Sequence, residues 1–278
     1  MTSGTPGARV MPGARVAVVT GAARGIGAAT VLALAAGGWS VAALDRCADD
    51  PRLPYHLGTQ AELTAVVKRA QELAGSAARV AAHVGDASSM PDMTGAIART
   101  EQEFGGVDAV IAVAGVIAGG VPLWEMPLEQ QAAVLEANLT SVLVAARAGI
   151  PALLRRPEPR SGRFVAVASA AATRGLPMLA AYCAAKAGVT GLVRALAAEL
   201  RGTGVTANAV SPGSTATMIL DESARLYGLE SAEAFASQQP IARLIAPEEV
   251  AEAIVWLAGA STGAVTGAAV PVDGGLSL

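Results

Sequence analysis

Short apolar segments alternate with longer helix-like segments along almost the whole of this chain. Most of the short segments are apolar nearly throughout, which is typical of strands that are buried on both faces. Alternation of this kind predicts a parallel sheet whose consecutive strands are connected by helices. The predicted strands are residues 15–20, 40–45, 79–84, 108–113, 163–169, 205–210 and 268–272. The predicted helices are residues 26–36, 60–73, 90–104, 128–154, 180–201 and 247–257.

The domain organisation follows from length and composition. The chain has 278 residues, 53% of them hydrophobic, and no linker divides it, so one large core is expected. We predict an α/β fold with a single domain over residues 14–278. It is a Rossmann-type, doubly wound parallel sheet of about seven strands, in the order 3-2-1-4-5-6-7, with helices on both faces. Residues 1–13 are rich in Gly, Pro, Ser and Thr and are expected to form a flexible N-terminal tail.

Two connections are longer than the about two to six residues that are usual in α/β folds. The first is residues 46–59, called the insert below, which follows the second predicted strand. The second is residues 217–240, which precede the last predicted helix and are expected to be partly helical. Because loops carry the variable parts of a site, we expect substrate specificity to reside in these two segments.

Charge and cysteine content narrow the possible partners and locations. The 20 Lys and Arg residues do not outnumber the 23 Asp and Glu residues, which argues against nucleic acid. Two cysteines cannot form a disulfide framework, which favours the cytoplasm. Residues 25–44 are uncharged and long enough to span a bilayer, but Gly37 and Gly38 divide them, so no membrane span is expected. The two histidines show no metal-ligand spacing, and no metal site is expected.

A glycine-rich turn, T-G-A-A-R-G-I-G at residues 20–27, follows the first predicted strand and opens a helix. The first glycine permits a tight turn, the second lets the backbone approach a pyrophosphate, and the third lets helix and strand pack closely. Free N–H groups at the helix start favour the anion. The turn therefore predicts a dinucleotide site. The predicted contacts are Gly21, Arg24, Gly25, Ile26 and Gly27.

Asp45 ends the second predicted strand, where a carboxylate can accept hydrogen bonds from the adenosine ribose. A carboxylate there repels a 2′-phosphate, which favours NAD over NADP. Arg24 and Arg46 act in the other direction, because either guanidinium could pair with that phosphate. We predict NAD as the cofactor, with NADP as the alternative.

Tyr182 and Lys186 stand four residues apart in a predicted helix and therefore share a face. A free tyrosine titrates at about pH 10, but an adjacent ammonium favours the phenolate. Ser169 precedes Tyr182 by thirteen residues, at the end of a predicted strand. A chance surface pair would explain the Tyr–Lys spacing by itself. Because the same chain also carries the glycine-rich turn, we interpret Tyr182 and Lys186 as a proton shuttle.

These features together resemble the short-chain dehydrogenase/reductase family, over residues 15–275. The resemblance implies that Tyr182 is the general acid/base and that Lys186 lowers its pKa and binds the nicotinamide ribose. It further implies that Ser169 holds the substrate oxygen and that Asn138 positions a proton-relay water. The elements that carry the resemblance are T-G-A-A-R-G-I-G, Asp45, Asn138, Ser169, Y-C-A-A-K and Ser211-Pro212-Gly213.

The resemblance also implies cofactor contacts beyond the glycine-rich turn. Asp86 matches the family's adenine-contacting acid, and Thr217 matches the residue that grips the nicotinamide carboxamide. The remaining implied contacts are Asp45, Arg46, Ala114, Gly115, Tyr182, Lys186, Pro212, Gly213 and Thr215. The family's Asn-Asn-Ala-Gly reads Ala-Val-Ala-Gly at residues 112–115. Because both amide side chains are missing, the hydrogen bonds that steady the central strand must come from elsewhere.

Within the family, the insert and the sequence around it resemble a mycofactocin-associated subgroup. Members of that subgroup are thought to hold the nicotinamide tightly and to pass electrons to a peptide-derived carrier, so a mycofactocin-type partner is implied. We expect the insert to fold over the adenosine half of NAD and slow its release. In the family, long apolar helices such as 128–154 and 180–201 pair subunits, and a homotetramer is expected.

The predicted function is an NAD-dependent oxidoreductase that moves a hydride between a secondary alcohol or ketone and nicotinamide. Apolar side chains in residues 217–240 indicate a pocket for an aliphatic, alicyclic or terpenoid alcohol. One alternative is an NADPH-dependent ketoreductase of biosynthesis, which the two arginines support. Another is a non-catalytic dinucleotide-binding redox sensor, which would leave Asn138, Ser169, Tyr182 and Lys186 without a role.

Overall fold

The computed structural model describes residues 14–76 and 78–278. The tail predicted for residues 1–13 lies outside the described residues. The seven strands form one parallel sheet in the order β3-β2-β1-β4-β5-β6-β7, which confirms the predicted doubly wound fold. The strands are β1 Val16–Thr20, β2 Ser40–Asp45, β3 Val80–Val84, β4 Ala109–Ala112, β5 Arg163–Val167, β6 Thr206–Pro212 and β7 Ala269–Val272.

Helices cover both faces of the sheet, as alternating side chains on doubly buried strands require. Helices α1, α2 and α8 pack on one face, and α3, α5 and α6 pack on the other. The helices are α1 Gly25–Ala36, α2 Gln60–Ala74, α3 Met90–Phe104, α4 Leu128–Leu135, α5 Ser141–Arg155, α6 Ala180–Glu199, α7 Met218–Leu226 and α8 Pro247–Ala258. Two apolar cores result, one on each side of the sheet.

The helix expected over residues 128–154 is not uniform. A π-helical turn, Glu136–Thr140, separates α4 from α5. A π-turn widens the helix by one residue and re-aims the side chains it contains, and such turns occur frequently at functional sites. No glycine or proline marks this position in the sequence, so composition did not reveal the break.

The two long connections differ in form. The insert contains no helix or strand, whereas residues 217–240 contain α7 and a 3₁₀ segment, Ala232–Gln238. Residues 25–44 form α1, a turn and β2, as their division by two glycines indicated. By length and composition, the helical run Leu128–Arg155 could cross a bilayer, and half of its most apolar window is buried inside the domain.

Candidate active site

A cleft of about 1100 Å³ opens at the carboxyl edge of the sheet, where the chain leaves the neighbouring strands β1 and β4. Ligands bind at this switch point in open α/β sheets, because the connections leave the two strands toward opposite faces. Every site residue predicted above lines this cleft except Asn138, which is fully buried.

The glycine-rich turn lies against the loop that follows β4. Gly21 has a φ of +66°, and a Cβ at this residue would lie 2.8 Å from the Ala114 Cα atom. A Cβ on Gly27 would lie 1.9 Å from the carbonyl oxygen of Gly21. Arg24, at the N-cap of α1, makes no side-chain cap to the helix. The first turn of α1 can therefore receive an anion, and the narrow glycine cradle fits a dinucleotide pyrophosphate.

The Thr20 hydroxyl holds the backbone of residues 113 and 114, beside the positions where the asparagine side chains are missing. The backbone N–H groups of Val113 and Ala114 both donate to Thr20 Oγ1, at 3.1 and 3.2 Å. These two bonds tie the end of β4 to the end of β1. The end of β4 is therefore held by Thr20 of β1, and the altered motif at residues 112–115 required such a source of hydrogen bonds outside itself.

Asp45 is held between the glycine-rich turn and the insert. Its Oδ2 accepts from the Ala23 N–H at 3.0 Å, and its Oδ1 accepts from the Cys47 N–H at 3.1 Å. A Cβ on Gly58 would lie 3.1 Å from that second oxygen, so the insert passes directly beside the carboxylate. Each carboxylate oxygen has a further lone pair for a ribose hydroxyl.

Both arginines near Asp45 already have partners. Arg24 donates from Nη2 to the carbonyl oxygen of His56 at 2.8 Å, which ties the glycine-rich turn to the insert. Arg46 donates from Nη1 to Asp50 at 3.1 Å, and its Nε lies 3.6 Å from an Asp86 oxygen. Pairing with a 2′-phosphate would have to compete with these contacts.

The tyrosine and lysine of α6 lie on one face, as the spacing predicted, and burial shifts the pKa of both side chains. Burial raises the pKa of Tyr182 to about 12, and hydrogen bonding by Ser169 opposes the rise. Burial lowers the pKa of Lys186 to about 8. The Lys186 Nζ donates to the carbonyl oxygen of Val167 at 2.9 Å and lies 5.6 Å from the Tyr182 ring centre. In the protein alone, burial therefore has the largest effect on the pKa of Tyr182. The role of Lys186 in lowering that pKa stays a prediction.

Asn138 lies in the π-turn with an exposure of 0%. Its Nδ2 donates to the carbonyl oxygens of Val116 and Val134, at 2.8 and 2.9 Å, while its Oδ1 has no partner among the described residues. A Cβ on Gly115 would lie 2.7 Å from that Oδ1 and 3.5 Å from Lys186 Nζ. The two polar atoms thus face one point above Gly115. A water placed there would have the polar partners that it needs.

Ser169 follows β5 in an extended conformation, and its hydroxyl accepts from the Ala171 N–H at 3.1 Å. That bond orients the side chain and leaves the hydroxyl proton to donate. Beyond Ser169 and Tyr182 many apolar side chains line the cleft, together with Arg174, Asp221, Glu233 and Gln238. Its lining there includes Leu176, Leu179, Ile219, Leu220, Tyr227, Leu229, Phe235 and Leu276.

Sequence reasoning missed the contacts of the insert. Asp50, Arg52 and Tyr55 line the cleft, and Arg52 forms an ion pair with Glu136 at the start of the π-turn. Pro51, Pro54 and Tyr55 in the insert suit a semi-rigid cover. No local pattern pointed to a partner 84 residues away.

Comparisons with known proteins agree with this arrangement. A protein-family model described as enoyl-(acyl carrier protein) reductase matches residues 21–277. Cis-4-hydroxycyclohexanecarboxylate dehydrogenase of Sinomonas cyclohexanicum is 38% identical, over 94% of this chain and 96% of that protein. Carveol dehydrogenase of Mycobacterium avium in complex with NAD matches with a TM-score of 0.88 and 28% identity, over 95% of this chain and 98% of that chain. Actinorhodin polyketide ketoreductase with NADPH matches with a TM-score of 0.83 and 33% identity, over 95% of this chain and 97% of that chain.

Proposed function

Because the chain belongs to the short-chain dehydrogenase/reductase family, it is an NAD(P)-dependent oxidoreductase, and we propose that it interconverts a secondary alcohol and its ketone with NAD. The observation that carries this proposal is that Ser169, Tyr182 and Lys186 line one cleft, with the glycine-rich turn at its cofactor end.

The proposed mechanism divides the work between cofactor and protein. The nicotinamide, when bound, supplies the hydride chemistry. Ser169 holds the substrate oxygen, and Tyr182 transfers the hydroxyl proton as general acid/base. With a raised pKa, the phenol is protonated at neutral pH and suited to act as the acid. Acting as the base in alcohol oxidation requires a positive charge close to the phenol, which lowers its pKa.

The proton relay runs from Tyr182 toward Lys186 and Asn138. The Lys186 Nζ and the Asn138 Oδ1 face the same point above Gly115, so a water held there can exchange protons with the ammonium. Positioning and proton transfer are thus the contributions of the protein itself.

The choice of NAD over NADP rests on the surroundings of Asp45. Its carboxylate is fixed by two backbone N–H groups, and Arg24 and Arg46 are engaged elsewhere. A 2′-phosphate would meet a fixed negative charge with no free cation from these two arginines. The relatives include one protein in complex with NAD and one with NADPH, so the assay must compare both.

We propose an alicyclic or terpenoid alcohol as the substrate. The apolar lining beyond Ser169 would stabilise a hydrocarbon ring by burial, and two relatives are named for cis-4-hydroxycyclohexanecarboxylate and carveol. A ketoreductase that uses NADPH is the second candidate, supported by the 33% identical polyketide ketoreductase. Its activity with NADPH would have to exceed the activity with NAD.

We further propose that the insert covers bound NAD and that electrons leave by way of a mycofactocin-type carrier. Contacts of the insert with Asp45, Arg24 and the cleft support the cover. The expected assembly is a cytoplasmic homotetramer, which light scattering at micromolar concentration tests.

The decisive experiment identifies the ligand that the purified protein retains. Mass spectrometry of the denatured protein should show NAD. Turnover of a cyclic secondary alcohol should then be measured with added NAD, with NADP, and with an artificial electron acceptor alone. Retained NAD with turnover on the acceptor alone supports the full proposal. A protein that arrives empty and prefers NADPH would overturn it in favour of the ketoreductase.

A further inference from the structure

We propose that the insert positions the catalytic Asn138, through Arg52 and Tyr55, and that closure of the insert therefore controls the proton relay as well as cofactor release. The inference rests on the proposed function, because the relay matters only in a dehydrogenase. Arg52 and Tyr55 are positioning residues in this view.

The first anchor is Arg52. Its Nε and Nη2 donate to the two oxygens of Asp50, at 2.8 and 2.6 Å, and its Nη1 donates to Glu136 at 2.7 Å. Asp50 is only 4% exposed, and the Arg52 fork fixes its carboxylate in a bidentate pair. Glu136 is the first residue of the π-turn, two positions before Asn138. The ion pairs of Arg52 therefore connect the insert to the π-turn that contains Asn138.

The second anchor is Tyr55. Its hydroxyl accepts from the Ile117 N–H at 2.9 Å. Ile117 directly follows Val116, whose carbonyl oxygen receives one of the two hydrogen bonds from Asn138. The ring of Tyr55 packs in the same apolar cluster as Tyr182, so this anchor is seated in the catalytic region.

Arg52 and Tyr55 each act next to one of the two carbonyl groups that hold the Asn138 amide, which are called its supports below. Asn138 donates to the carbonyl oxygens of Val116 and Val134. Tyr55 fixes the residue after the first support, and Arg52 fixes the residue two positions after the second. The same two bonds direct the Asn138 Oδ1 toward the point above Gly115.

Displacement of the insert would release both supports at once. A misplacement of roughly 1 Å in a catalytic constellation can cost on the order of a hundredfold in rate. If only one of the two carbonyl groups shifts, and by a smaller distance, the rate should fall about tenfold. If the insert served only to cover the cofactor, these contacts would have no consequence for proton transfer.

The test uses three single variants and a matched control in the same segment. Tyr55→Phe keeps the ring and removes the acceptor of the Ile117 N–H. Arg52→Gln removes the fork, and Arg52→Lys retains the charge toward Glu136. The control is His56→Ala, which removes the 2.7 Å hydrogen bond between His56 and Asp49 inside the insert. The His56 side chain contacts neither support of Asn138.

We expect kcat with a cyclic alcohol to fall about tenfold in Tyr55→Phe and Arg52→Gln, with the substrate KM within about twofold. The solvent deuterium isotope effect on kcat should increase, because proton transfer becomes more rate-limiting. Arg52→Lys should recover part of the loss, and His56→Ala should match the parent.

Hydrogen–deuterium exchange provides a readout that is independent of activity. Without substrate, exchange should accelerate around residues 113–120 in Tyr55→Phe and around 134–141 in Arg52→Gln, and in neither region in His56→Ala. Unchanged kcat, isotope effect and exchange in both variants would overturn the inference, even if release of NAD became faster. A parent without turnover of any alcohol or ketone would refute the proposed function instead, and the exchange data would still decide whether the insert anchors these two regions.

Discussion

Two long connections border the cleft, and they are held in place by different interactions. The insert is fastened by charged side chains, above all by Arg52 between Asp50 and Glu136. The connection from β6 to α8, residues 213–246, is fastened through its backbone. The Gly213 N–H donates to the carbonyl oxygen of Val272 at 3.1 Å, and the Ile241 N–H donates to that of Gly274 at 3.2 Å.

The difference indicates how one cleft can bind a ligand that stays the same, the cofactor, beside a substrate that varies. Charge-assisted bonds with fixed geometry suit a segment that meets the same polar ligand in every turnover. An apolar wall on a backbone-anchored segment can change its side chains without disturbing its own attachment. Under the proposed function, the insert is therefore the cofactor side and the β6–α8 connection the substrate side of the cleft.

The largest effect is expected at Tyr182, which belongs to neither connection. Tyr182→Phe removes only the proton-transferring hydroxyl, so turnover should fall by ~10² to 10⁴ while both ligands still bind. Steady-state kinetics and calorimetric titration of NAD check this outcome. A variant within about threefold of the parent would contradict the assignment of the general acid/base.

Removal of the insert should give the next largest effect. When a short turn replaces residues 47–58, NAD release should accelerate on the order of a hundredfold, since a cover acts mainly on the off-rate and the loss of about 3 kcal/mol of covering contacts corresponds to that factor. Exchange of bound NAD with isotopically labelled NAD measures the rate. Equally slow exchange in the shortened protein would remove the basis for a covering role.

A truncation on the substrate side should act on the alcohol alone. Leu229→Ala takes apolar surface from the cleft lining, so kcat/KM for a cyclic alcohol should fall about tenfold while NAD exchange stays as in the parent. The matched control is Leu73→Ala. Leu73 on α2 is 41% exposed, close to the 37% of Leu229, and lies outside the cleft lining. A change in NAD exchange in Leu229→Ala would break the division between the two connections.

The smallest effect concerns pH and Lys186. Burial holds the pKa of Lys186 near 8, against 10.5 in the unfolded chain, so between these values the unfolded state binds more protons than the native state. Stability should therefore rise with pH, by about 1 kcal/mol between pH 8 and 9. Lys186→Met should lack this increment. Urea unfolding of the cofactor-free protein at the two pH values measures it, and identical slopes in the two proteins would show that Lys186 is not desolvated.

Much of the fold could be predicted because strands buried on both faces read as continuous apolar runs. The inner strands β1, β2, β4, β5 and β6 begin and end close to the predicted positions for that reason. The edge strands β3 and β7 are only partly buried. The π-turn at Glu136–Thr140 could not be predicted, because a shift in helical hydrogen bonding leaves no mark in the composition of an apolar helix.

The same division holds for the candidate site. The glycine-rich turn and the Tyr182–Lys186 pair are local patterns, and the structure brings them to one cleft. The contact between Arg52 and Glu136 joins positions far apart in the chain, and a single sequence carries no sign of it. The Tyr182 pKa could not be predicted either, because it depends on how deeply the fold buries the phenol.

The Thr20 hydroxyl has an evolutionary consequence. It is 1% exposed and carries the two backbone hydrogen bonds at Val113 and Ala114. Because both bonds come from backbone N–H groups, the junction between β1 and β4 does not depend on which side chains stand at positions 112 and 113. A genome search that requires the paired asparagines would discard this chain as a degenerate copy, although its strand junction is intact.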